Sequence, residues 1–129
     1  MRVYVSGPMR GRPCFNIPSF DRAATVIRGA GWEAVNPVDI GGGVTGWTHP
    51  MSLSGFRQTM DRNCQEICEC DAIAVLPGWR TSEGSTAEVA LACVCRLRIL
   101  DALTLNDITA DVMEWWTSLT GFTSPGTFQ

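Results

Sequence analysis

The sequence predicts an α/β domain on a mostly parallel sheet of four to five strands, and two stretches carry that expectation. The first reads strand, helix, strand. Val3-Tyr-Val-Ser6 alternates and stops at Gly7-Pro8, Pro18 to Gly29 carries a helical apolar stripe, and Trp32-Glu-Ala-Val35 ends at Asn36-Pro37. The second, Asp71 to Leu100, reads strand, loop, helix, strand. Right-handed crossovers between such units give parallel strands with helices on both faces, a three-layer, Rossmann-like (flavodoxin-like) arrangement. A chain of 129 residues suffices for one core of this kind. One domain is expected over residues 1–120, with 121–129 as a flexible tail.

In the first strand, alternation puts Val3 and Val5 on one face and Tyr4 and Ser6 on the other. The following loop, Gly7-Pro-Met-Arg-Gly-Arg-Pro13, sets two glycines and two arginines just past a strand end. Glycine lets a backbone approach an anion closely and arginine offers a planar donor fork, so a phosphate site is one reading and a solvated turn the other. In the helix that follows, Phe20, Ala23, Ala24 and Ile27 share one face, and glycines 29 and 31 stop it. From Val38 to Pro50 the chain is too rich in glycine to be regular. A loop of that length is a lid, a binding segment or disordered, with Trp47 expected to tether it to the core.

Ser52 to Cys68 reads as a helix with Phe56, Met60, Asn63, Cys64 and Ile67 near one stripe. The apolar run Asp71-Ala-Ile-Ala-Val-Leu76 then stops at Pro77-Gly78, and a helix is expected to open with Ser85 as its cap. Glu88, three residues on, either closes a capping box or stands where a parallel sheet binds ligands, beyond the strand ends beside a helix N-terminus. Arg96 to Leu100 supplies the next strand. Leu105 to Leu119 reads as a last helix, capped by Asn106 or Asp107, in which Trp115 and Trp116 serve a homodimer contact or edge-of-core packing.

Composition narrows the function. A formal net charge of −3 and a pI near 5.0 argue against a polynucleotide partner, leaving a small molecule as the expected one. No apolar run reaches the roughly 18 residues of a membrane span, and Arg2 to Ser6 is too short for a signal peptide, so a cytoplasmic protein is expected. All ten basic residues are arginines, which excludes lysine Schiff-base chemistry. His49 is the only histidine and lies in the glycine-rich loop, a poor setting for a triad. The cysteines Cys14, Cys64, Cys68, Cys70, Cys93 and Cys95 form no Cys-x-x-Cys pair. They are expected as small buried thiols, with no metal and no cofactor.

Tyr4-Val-Ser-Gly7-Pro-Met-Arg10-Gly, Val35-Asn-Pro37, Cys70 to Trp79, and Ser82-Glu-Gly84-Ser-Thr-Ala-Glu88 together resemble the nucleoside 2-deoxyribosyltransferase-like superfamily. The nearest resemblance is to its small, often phage-borne branch of DUF4406-type domains, and it reaches the 2′-deoxynucleoside 5′-monophosphate N-glycosidases. It covers about Arg2 to Leu100.

The resemblance implies cleavage or transfer of the N-glycosidic bond of a 2′-deoxynucleoside or its 5′-monophosphate. Glu88 would be the nucleophile at C1′, with Tyr4 nearby. Ser6, Gly7, Pro8, Met9 and Arg10 would hold the sugar or phosphate end, together with Asn36, Ser82, Gly84 and Ser85. A carboxylate is the group retaining glycosidases use to capture an oxocarbenium-like centre, and a helix dipole is expected to keep it ionised. The relatives carry an aspartate where this chain has Asn63, and an amide cannot exchange a proton with a departing base. Nucleotide binding without turnover is therefore the rival expectation. Asp71, at a strand start, is expected to be structural.

Overall fold

In the computed structural model, which describes residues 1–40 and 52–122, the alternation of the first strand becomes the boundary between two core layers. Strand β1 (Arg2–Ser6) is flanked by β2 (Glu33–Val35) and β3 (Ala72–Val75), and β4 (Arg98–Asp101) follows β3. The order β2-β1-β3-β4 is parallel throughout, with Tyr4 opposite Val35 and Ile73, and Ser6 opposite Val75. Four strands therefore form the sheet, within the expected four to five.

Val3 and Val5 face helix α1 (Ile17–Gly29), whose buried Phe20, Ala23 and Ile27 recur at helical intervals, and the short α2 (Pro37–Ile40), which adds Val38. Fully burying a side chain such as Phe20 or Ile27 contributes about 1.5–3 kcal/mol. Tyr4 and Ile73 face the other way. They pack with Ile67 of α3 (Leu53–Cys68), Val89 and Cys93 of α4 (Glu83–Val94) and Val112 of α5 (Thr109–Thr120). Helices thus cover both faces, the three-layer arrangement expected. None of the described helices is long and apolar enough to cross a membrane.

Several boundaries differ from the sequence reading for local reasons. The cap of α4 is Ser82, whose hydroxyl accepts the Ser85 N–H at 3.2 Å, so Ser85 is the third helical residue and Glu88 the sixth. Two serines three apart compete for the cap, and the earlier one prevails because it follows the turn Trp79–Thr81 directly. Glu88 therefore closes no capping box. Replacing Ser82 by Ala should lower unfolding free energy by about 1 kcal/mol in urea denaturation.

Residues 37–40 form a helical turn inside the stretch expected to be irregular, because Val38 is buried against the sheet. Trp47 and His49 lie outside the described residues. Helix α5 starts later than expected. Residues 105–108 first return beside β4, through a Leu100–Asp107 bridge, and the Asp107 carboxylate then accepts the Thr109 N–H at 2.9 Å. Trp115 meets Trp79 edge-on with ring centroids 4.9 Å apart, and Trp116 packs against the same core. Of the expected tail, Gly121 and Phe122 are described, and the Phe122 ring lies 6.3 Å from that of Trp116.

The cysteines correct the expectation of uniform burial. Cys70 and Cys93 are buried and Cys64 half-buried, whereas Cys14, Cys68 and Cys95 are exposed. Cys68 ends α3 and Cys95 follows α4, where the sheet-facing stripes have run out, and Cys14 sits in the turn before α1.

Candidate active site

Parallel strands send all their following loops to one edge of the sheet, and here the chain leaves β1 toward β2 but β3 toward β4. The crevice outside the carboxyl ends of β1 and β3 is where that reversal opens a binding site. A cavity of about 310 Å³ lies there, walled by the β1–α1 loop, the inner face of α3 and the first turns of α4.

Glu88 reaches it by helical period. Ser85, Glu88, Val89, Ala92 and Cys93 form the buried stripe of α4, so the spacing that packs the helix also carries a carboxylate inside. Tyr4 and Ser6 reach it by strand period, since both point to the α4 side of β1. Tyr4 Oη donates to Glu88 Oε2 at 2.7 Å and Ser6 Oγ to Oε1 at 2.8 Å. Asn63, on the face of α3 that carries Phe56 and Met60, donates through Nδ2 to Oε2 at 3.2 Å. Ser6 and Ser85 share a further hydrogen bond of 2.7 Å. Glu88 is 5% exposed, and Tyr4 and Ser6 are wholly buried.

Burial pushes the Glu88 carboxyl above its ordinary range, while the bonds from Tyr4, Ser6 and Asn63 pull it back down. This corrects the expectation that the helix dipole governs its ionisation. Glu88 lies in the second turn, beyond the dipole's main reach, and desolvation outweighs it. Burial first, then the neighbouring Glu88 charge, holds the Tyr4 hydroxyl well above 10.0, so Tyr4 stays a donor.

Nearer solvent the wall changes character. Pro8, Met9, Arg10 and Arg12 line it from the β1–α1 loop, and Arg10 stacks over the Phe56 ring with its guanidinium carbon 4.5 Å from the centroid. Ser82, Glu83, Gly84 and Ser85 line it from α4. Gly84 abuts α3: a side-chain carbon there would lie 3.7 Å from Met60 Sδ and 3.8 Å from the Phe56 ring. Cys14, Phe15 and Asn16 all adopt left-handed backbone, a strained run held in part by Asn16 Nδ2 donating to the Pro8 carbonyl at 2.8 Å. Phe15 from that run lines the cavity.

The candidate residues are thus largely brought together. Tyr4, Gly7, Pro8, Met9, Arg10, Asn63, Ser82, Gly84, Ser85 and Glu88 line the cavity, and Ser6 lies directly beneath Glu88. Asn36 does not line it. Its Nδ2 donates to Asp21 at 2.9 Å and its Oδ1 accepts the Val38 N–H at 3.1 Å, so it caps the turn after β2. Asp71 sits at the opposite, amino end of the sheet, where its carboxylate accepts the Arg2 N–H at 2.8 Å. Sequence reasoning gave no site role to Phe20, Thr59, Thr81 or Glu83, which also line the cavity. Thr59 was legible in principle, since it shares a helical face with Phe56 and Asn63.

Two solved structures are similar to this one. The 2-deoxyribosyltransferase of Bacillus psychrosaccharolyticus superposes with a TM-score of 0.59 at 12% identity, over 78% of this chain and 70% of that one. The Clostridium botulinum CMP N-glycosidase BcmB gives 0.45 at 19% identity, over 78% and 69%. No curated protein sequence matches. The sheet order, the flanking layers and the likeness to the Bacillus enzyme establish the deoxyribosyltransferase fold. A family model described as "Domain of unknown function (DUF4406)" matches residues 1–101, the span holding all four strands and every candidate site residue, and the chain belongs to that family.

Proposed function

We propose that the protein is an enzyme of N-glycosidic bonds, cleaving or transferring the base of a 2′-deoxynucleoside or its 5′-monophosphate with Glu88 as nucleophile. The observation that carries this reading is the buried Glu88 carboxylate at a cavity wall, with Tyr4 and Asn63 donating to Oε2 and Ser6 to Oε1. These donors fix the carboxylate's orientation and leave lone pairs for attack on C1′. The base departs as the glycosyl ester forms, and water or a second base then releases the sugar. Arg10 with the Gly7–Met9 backbone would hold the 5′ end of the substrate, and Ser82 with Gly84 would complete that cradle at the start of α4. The chemistry named for the two structural neighbours, 2-deoxyribosyl transfer and CMP N-glycoside cleavage, is in keeping with this.

The test is release of free base from a panel of deoxynucleosides and their monophosphates, followed by chromatography. The rival reading, binding without turnover, rests on Asn63, whose amide offers no exchangeable acid proton. It predicts thermal stabilisation by nucleotide with no base released.

Tyr4→Phe probes the carboxylate directly. Losing the Tyr4 donor removes a bond that lowers the Glu88 pKa, so the acid limb of the pH–rate profile should move to higher pH. An unmoved limb would show that ionisation of Glu88 does not govern the rate.

A further inference from the structure

Asn63 constrains how a bond next to Glu88 can break. One N–H of its Nδ2 goes to Glu88 Oε2, it is 6% exposed, and it lines the cavity. Its carbonyl oxygen has no hydrogen-bond partner among the described residues. A buried acceptor at a cavity wall is free to take a donor or a positive edge from whatever occupies the cavity.

Breaking an N-glycosidic bond sends the bonding pair to a ring nitrogen of the base. A neutral purine or pyrimidine takes that pair readily only if a general acid delivers a proton to the ring. Around Glu88 the hydroxyl protons of Tyr4 and Ser6 point at the carboxylate, and the Asn63 amide cannot give one up. Glu83, the other carboxylate among the described lining residues, is exposed in the first turn of α4.

We propose that the site takes N-glycosides whose base is already cationic, alkylated on a ring nitrogen, with the Asn63 carbonyl oxygen receiving the positive edge of that base. The proposal rests on Glu88 as nucleophile. The pair of the C1′–N bond passes to the base, which leaves as a neutral molecule, while a Glu88 oxygen bonds C1′. Water then attacks C1′, the carboxylate is released, and one proton of that water goes to solvent.

A matched pair tests it: N7-methyl-2′-deoxyguanosine 5′-monophosphate against 2′-deoxyguanosine 5′-monophosphate, at mildly acidic pH where the methylated purine keeps its charge. Base release is measured with the wild type, Asn63→Asp, Glu83→Gln and Glu88→Gln, and each enzyme-free rate is subtracted. The wild type should release the methylated base at least about 10²-fold faster, the scale of a general-acid contribution. Asn63→Asp, which introduces a titratable proton, should narrow that ratio at least about tenfold, and Glu83→Gln should keep it. A smaller wild-type ratio, a ratio Asn63→Asp does not move, or guanine release that depends on Glu83 overturns the proposal while Glu88-dependent cleavage stands. The wild-type ratio decides even if a variant fails to fold. Absence of Glu88-dependent release from both nucleotides overturns this proposal, and its absence across the whole panel of deoxynucleosides and monophosphates overturns the reading beneath it as well.

Discussion

Glu88→Gln should abolish base release, by about 10³-fold or more, while leaving the protein folded and more stable than the wild type at neutral and higher pH. The amide cannot form the glycosyl ester, yet it fits the same hydrogen bonds. Its oxygen can take the place of Oε2 opposite Tyr4 and Asn63, and its nitrogen can donate to Ser6 Oγ, whose proton turns to Ser85. The stability gain follows from linkage. Burial raises the Glu88 pKa in the folded state above its unfolded value, so folding is penalised wherever the unfolded chain is ionised. Below the ordinary carboxylate range both states are protonated and the penalty vanishes. It grows as pH rises from that range to the raised folded pKa, then levels off. Thermal melts across pH should therefore show the variant's advantage small in acid and increasing toward neutrality. A wild type that outlasts the variant at every pH would mean that the carboxylate is stabilised by its surroundings rather than strained by burial.

Gly7→Ala should cost about 1–3 kcal/mol of stability and depress activity further than that loss alone explains. Gly7 follows β1 directly, and an added Cβ would lie 2.7 Å from Leu76 Cβ and 2.9 Å from Leu76 Cδ1. Leu76 follows β3 directly and donates its N–H to the Ser6 carbonyl at 2.9 Å. Neither Cβ can rotate away, so the two strand ends must separate. Separation moves Ser6, beneath Glu88, and Pro8 to Arg10, along the cavity. The comparison variant is Gly29→Ala at the end of α1, where nothing lies within 4 Å, and it should be neutral or slightly stabilising. Urea midpoints with unchanged slopes, read beside base-release rates, separate the two effects. Equal midpoints for the two variants would show that the β1–β3 edge yields without strain.

Local periodicity was legible wherever burial follows it: the Val3/Val5 against Tyr4/Ser6 division of β1, the Phe20–Ile27 stripe of α1, and the Asn63–Ile67 face of α3 all appear as read. The helix cap was not, since Ser82 and Ser85 both satisfy the local rule and only the preceding turn chooses between them. Asn36 was misread because an Asn-Pro boundary looks alike whether its amide serves a ligand or, as here, Asp21 and Val38.

By itself the sequence determined the α/β class and the faces of β1, α1 and α3, because burial there follows the spacing of residues along the chain, whereas the inward stripe of α4 that carries Glu88 came from the structure. Only the tertiary structure decided that Tyr4, Ser6 and Asn63 donate to that carboxylate across separations of 84, 82 and 25 residues. It also decided that burial rather than the helix dipole sets the direction of its pKa. The physical reason is that desolvation depends on what closes over a group from elsewhere in the chain, and β1, central in the sheet, brings its hydroxyls under α4 only once the strands have assembled.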